Sequence, residues 1–176
     1  MKLPATLDPC DEAAAWLDTQ PDPQTAWQTC PRSSWMLWVL DELGYHDERV
    51  LRLFACWCAR ETPLPDGRKS WDLLVDPRSR SAVELAERFA VGAASPEDLA
   101  LAESSARSAR SAASSASSAA WSVTESAART AARSAPWSAA WFAAWAAAES
   151  AQAAQLRKMV PYSVVERLLA SIIEDR

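Results

Sequence analysis

The chain has 176 residues, a length that suits one domain with a real core and is short for two. Its formal net charge is −5, and no cluster of Lys and Arg is present to release counterions, which excludes a nucleic-acid backbone binder and a polybasic membrane patch. Hydrophobic residues make up 49%, chiefly Ala with ten bulky Trp, while three Gly and the lack of any Asn leave little from which to build tight β-hairpins.

These features predict an all-α fold, a multi-helix bundle in a single domain over 1–176. Trp-rich helices occupy about 8–92, long Ala/Ser-rich helices about 95–160, and an amphipathic helix about 163–175. Helix starts share one device. Asp8-Pro9, Asp22-Pro23, Asp76-Pro77 and Ser95-Pro96 each place a capping side chain before a proline. Ser95 with Asp98, and Ser163 with Glu166, also have capping-box spacing.

The first helix is predicted over about 9–18, with Cys10, Ala13, Ala14 and Leu17 on one face, and a short one over about 23–29. A third runs over about 34–43, closed by Gly44 as a residue with positive φ. The fourth, about 47–61, turns Val50, Leu51, Phe54, Ala55, Trp57 and Cys58 inward. Residues 62–67 read as a loop. The fifth, about 77–91, buries Ala82, Val83, Ala86, Phe89 and Ala90 before Gly92.

Beyond Ser95 the composition shifts to Ala and Ser. Ala102, Ala106, Ala109, Ala113, Ala116, Ala120, Val123 and Ala127 form a seam of small residues that lets helices approach closely, and a homo-oligomer is expected from it. One straight helix from Pro96 to Met159 would reach about 95 Å, far beyond a compact domain with a radius of gyration of about 16 Å. A break near Trp121–Thr124 and at Pro136, giving a helical hairpin, is therefore expected. The last helix, about 164–174, presents Val164, Val165, Leu168, Leu169 and Ile172.

No uncharged stretch reaches the roughly 20 residues of a membrane span, and the start Met1-Lys2-Leu3-Pro4 lacks the apolar run of a signal peptide. A cytoplasmic location follows as an expectation, with the four Cys as thiols. Cys56 and Cys58 point about 200° apart on a helix, which suits neither a local disulfide nor a zinc knuckle. His46 is the only histidine and lies just past a helix end. Phosphate-loop, dinucleotide and zinc-protease motifs are absent, so neither catalytic residues, a cofactor nor a metal site is expected.

One strip stands out. Trp137, Trp141 and Trp145 are one turn apart, and the same step backwards reaches Arg133 and Arg129. Guanidinium groups beside indoles bind phosphates and bases or anchor a protein partner. The other reading is that the indoles are large knobs filling the core of an Ala-faced helix while the arginines are solvated surface. The spacing leaves both open.

The first half carries a further pattern. Cys10-x-x-Ala13-x-x-Trp16 is followed by Ala26-Trp27-x-x-Cys30-x-Arg32-x-x-Trp35-Met36-Leu37-Trp38, by Ala55-Cys56-x-Cys58-Ala59-Arg60, and then by the Ala-rich half. This resembles the Imm-5-like immunity-protein family of phages and bacteria over about three quarters of the chain. Members often carry an acidic residue just before the first Trp of the W-x-x-W element, where this chain has Ser34. The resemblance implies a non-enzymatic binding protein that neutralises a toxin or defence effector, with Arg32 and Trp35 joining the candidate binding residues. The alternative it leaves is a phage-type sponge that sequesters a small nucleotide-like immune signal in a pocket lined by Trp and Arg.

Overall fold

A computed structural model describes residues 8–64, 66–102, 104–105 and 136–174, with the backbone alone over 136–145 and 173–174. The protein is all-α. Its elements are α1 (Asp11–Asp18), α2 (Pro23–Thr29), α3 (Ser33–Glu42), α4 (Glu48–Glu61), a 3-10 turn at Ser70–Leu73, α5 (Pro77–Ala90), α6 (Pro136–Met159) and α7 (Tyr162–Glu174). Residues 96–102 and 104–105 are also helical. Among the described residues the only bridge of β type is an isolated one between Pro63 and Lys69. None of the described helices is long and apolar enough to cross a membrane.

Local signals place most of these boundaries. Asp22 accepts a hydrogen bond from Thr25 N at 2.7 Å, and Asp76 accepts one from Arg78 N at 2.8 Å, each with proline at the first helical position. Ser95 and Asp98 cap each other reciprocally, Asp98 N to Ser95 Oγ at 3.1 Å and Ser95 N to Asp98 Oδ2 at 3.2 Å. Gly44, at φ 70°, ends α3: Gly44 N donates to Asp41 O and Tyr45 N to Leu40 O, the paired bonds of a Schellman ending.

Two starts differ from expectation. Helix α1 begins after Cys10, which provides no side-chain cap, so Asp8-Pro9 lies ahead of the helix. Helix α7 begins at Tyr162, so Ser163 is already inside the first turn and Val164 N turns back to Pro161 O instead. On α4 the buried residues are Phe54 and Cys56, while Ala55 is exposed and Cys58 half-buried. The residues expected inward on α5 are all half-buried.

The chain divides into two compact units, residues 1–50 with 146–176 and residues 51–145. In the first, Ala153, Leu156 and Val160, together with Met36 and Leu40 of α3, are nearly inaccessible to solvent, and α2 packs on α7. Polar contacts lock the same core. Trp27 Nε1 donates to Val160 O at 3.1 Å, and Arg157 Nη1 donates to Cys30 O at 2.8 Å. In the second unit Arg60 holds Glu87 by two hydrogen bonds of 2.6 and 2.8 Å, and Cys56 lies under the Val83 carbonyl of α5. Trp71, in the 3-10 turn, is flanked by two guanidinium groups, Arg60 at 4.1 Å and Arg80 at 5.2 Å from its ring centre. The small-residue seam beyond Ala102, and the break expected near Trp121–Thr124, lie outside the described residues; α6 does start at Pro136.

Candidate functional site

Arg32 and Trp35 are brought together, and the fold adds two residues to them. Cys30 precedes Pro31, which pushes it out of helical conformation and ends α2. Arg32 follows in extended backbone at φ −122°, the residue before α3, and Trp35 comes three residues later. That spacing lays the Arg32 guanidinium over the Trp35 ring, 4.8 Å from its centre. Arg32 Nη1 also donates to Glu12 Oε2 of α1 at 2.6 Å, and the Trp16 ring of α1 lies 5.7 Å from Trp35 at an interplanar angle of 44°. The result is a stacked edge, Glu12–Arg32–Trp35–Trp16. The Arg32 side chain is 32% exposed and that of Glu12 71%, so the ion pair is solvated and adds little stability by itself, about 0–1 kcal/mol. Its effect is to hold the guanidinium over the indole.

Behind this edge lies a cavity of about 60 Å³ bounded by α1, α2, α3 and α7, with Trp16, Trp27, Trp35, Trp38, Met36 and Val165 in its wall. The polar atoms nearby are engaged: Trp27 Nε1 with Val160 O, and Cys30 Sγ with Arg32 O at 3.3 Å. Burial pushes the Cys30 and Cys56 thiols above their ordinary value, so both remain protonated and act as small apolar fillers. Cys10 is exposed, and so is His46 beyond the end of α3.

Glu149 is the charged side chain that the core takes in, at 8% exposure. Its Oε2 accepts from Ser33 Oγ at 2.9 Å, Ser34 N at 3.1 Å and Ser34 Oγ at 3.3 Å. It thus caps the start of α3, which has no side-chain cap from Arg32. Its hydrogen bonds mark a structural anchor rather than a free base.

The second unit holds a surface groove of about 520 Å³ between α5 and residues 98–105, with Arg78, Arg88, Ser81, Asp98, Leu85 and Leu101 along it. Arg78 is engaged with Asp76 at 2.7 Å, and no aromatic ring lines the groove among the described residues. It therefore lacks a surface on which to stack a base.

Of the other expected site residues, Arg129 and Arg133 lie outside the described residues. Trp137, Trp141 and Trp145 fall on the α6 backbone one turn apart, and their side chains are outside the described set. Sequence reasoning missed Glu12 and Trp16 as partners of Arg32 and Trp35, and Glu149 as a cap. The one signal for Glu149 was an isolated acid in an Ala run, with Gln152, Ala153 and Leu156 following on the same helical face.

Fold and site together define an all-helical protein with a pre-formed arginine–tryptophan edge over a small apolar cavity. No protein-family model, curated protein or solved structure matches the chain.

Proposed function

We propose that this chain is a non-enzymatic binding protein of the immunity or counter-defence type, acting in the cytoplasm, which neutralises a toxin or defence effector by direct binding. The observation that carries this reading is the stacked edge of Glu12, Arg32, Trp35 and Trp16. Arg and Trp are the side chains most enriched where single residues dominate protein–protein affinity. Here they are already fixed by stacking and by Glu12, which lowers the entropy lost on binding. The sequence pattern Arg32-x-x-Trp35 that suggested an immunity protein is the same pattern that forms the edge.

The sponge reading has less support. Nucleotide-sized ligands occupy pockets of about 300–1,000 Å³, against about 60 Å³ beside the tryptophans. The groove in the second unit has the volume, but among the described residues no ring lines it.

Native mass spectrometry of the protein recovered from its host tests the reading, and the same spectrum reads the homo-oligomer expected from the Ala seam. A co-purifying protein is expected, and Arg32→Ala should lower its capture at least tenfold. That substitution should change unfolding free energy by no more than about 1 kcal/mol, because the ion pair is exposed. Full capture by the Arg32→Ala protein, or a small molecule in place of a protein, would overturn the proposal.

A further inference from the structure

We infer that the cavity behind the Arg32–Trp35 edge is the seat for one branched aliphatic side chain, of leucine size, carried by a basic protein partner. The inference rests on the binding reading above and specifies its partner. Volume sets the size of the occupant. At about 60 Å³ the cavity is well below the roughly 150 Å³ that accommodates a benzene ring, and above the roughly 10–15 Å³ that one water needs on the same measure. Chemistry sets its polarity. A buried water needs two to four polar partners, whereas this wall is carbon and indole, with Trp27 Nε1 and Cys30 Sγ already bonded elsewhere. An alkyl group is what such a wall receives.

The position is accessible. The cavity is partly open, and Trp16, Trp35 and Trp38 on its wall are half-buried, whereas Ala13, Ala26 and Met36 at its base are buried. A side chain entering there lies beside the Arg32–Glu12 pair.

Charge sets the partner. Between residues 8 and 31, the segment that supplies α1 and α2, there are carboxylates at Asp8, Asp11, Glu12, Asp18 and Asp22 and no Lys or Arg. All of these carboxylates are exposed. Arg32, the first cation to follow, is already paired with Glu12. On α7, Glu166 and Arg167 are both exposed and offset each other. A partner approaching this rim meets a negative field, so complementarity requires Lys and Arg around its aliphatic anchor.

The probe is the peptide acetyl-KKLKK-amide, followed by shifts of the indole N–H signals of the full chain, with KKAKK and EELEE as twins. The leucine peptide is expected to perturb Trp16 and Trp35 and to bind at least tenfold more tightly than either twin. Two variants assign the seat. Ala13→Leu fills the cavity and should abolish the preference for leucine over alanine. Val39 of α3 also lines the cavity; Val39→Ala enlarges it and should move the preference from KKLKK to KKFKK, which keeps the test decisive should the first variant fail to fold. Equal binding of KKLKK and KKAKK, tighter binding of EELEE, or unchanged preferences in both variants would overturn the inference. So would concentration-dependent shifts at Trp16 and Trp35 without peptide, which would assign the seat to a second copy of the chain. Failure of the peptides with Arg32-dependent capture intact removes this inference and leaves the binding reading. Leucine preference without any captured protein does the reverse.

Discussion

A carboxylate withdrawn from water persists only where donors replace the water, and Glu149 has three, two of them from Ser34 at the start of α3. The positive end of the helix adds to them. Glu149→Gln should destabilise the protein by about 1–2 kcal/mol, and Glu149→Ala by about 2–3 kcal/mol, since the latter removes the acceptor that Ser33 Oγ and both Ser34 donors share at the start of α3. Urea unfolding measures both, and a loss below about 0.5 kcal/mol in Glu149→Ala would mean that water replaces the carboxylate without penalty. Asp76 differs in kind because it is only half-buried and reached by solvent. Its carboxyl is held below its ordinary value of 3.8, first by the side-chain hydrogen bond from Arg78 and then by Arg78 N. A lowered folded-state pKa stabilises above the unfolded value and is lost as pH falls through the folded one. Asp76→Asn should therefore flatten the stability profile below pH 3.8 and leave the slope near neutrality unchanged. An unaltered acid limb in pH-dependent urea melts would contradict this. At this scale the Arg32–Trp35 pair was legible, because three residues on a nascent helix put side chains side by side. Trp16 and Glu149 were not, since their contacts span 19 and 115–116 residues and no local rule reports such distances.

Some helix boundaries written in local chemistry were read correctly, and others with the same chemistry were not. The Asp22, Asp76 and Ser95 caps and the Gly44 ending involve partners within a few residues, which is all that a sequence pattern encodes. Asp8-Pro9 and Ser163 carry the same chemistry, yet α1 and α7 start elsewhere. Buried faces were harder still. Phe54 and Cys56 project about 200° apart on α4 and are both buried, so a rule that assigns one inward face per helix must fail there. The Gly44 ending gives a clean test at this level. A Cβ at Gly44 would meet nothing nearer than His46 Nε2 at 3.9 Å, so Gly44→Ala carries backbone strain at φ 70° and no clash. The expected cost is about 1–2 kcal/mol. Thermal or urea unfolding checks it, and a neutral substitution would show that α3 can end without the left-handed residue.

Across the whole molecule, burial is uneven among the described residues. Met36, Leu40, Leu156 and Val160, the largest side chains with less than 2% exposure, all belong to the unit of residues 1–50 and 146–176. In the other unit α5 has no buried residue, and Leu73, Val75, Val91 and Leu101 are exposed at 52%, 84%, 59% and 70%. Because apolar burial is the main favourable term in folding, local opening should be easier in the second unit. Hydrogen exchange followed by NMR should find the slowest amides in α3 and in residues 149–160, with α5 exchanging through openings at least about 2 kcal/mol lower in free energy. Leu156→Ala sharpens the test, since emptying a fully buried leucine site costs about 2–5 kcal/mol. Protection at Met36 and Leu40 should fall by that amount, because all three side chains are fully buried in the same unit. If α5 proved the slowest element in the unaltered protein, or if Leu156→Ala left α3 protection intact, stability would not be concentrated in the core formed by α3 and residues 149–160. The Arg32–Trp35 edge, built on the start of α3, would then lose the rigid base that its pre-organisation requires.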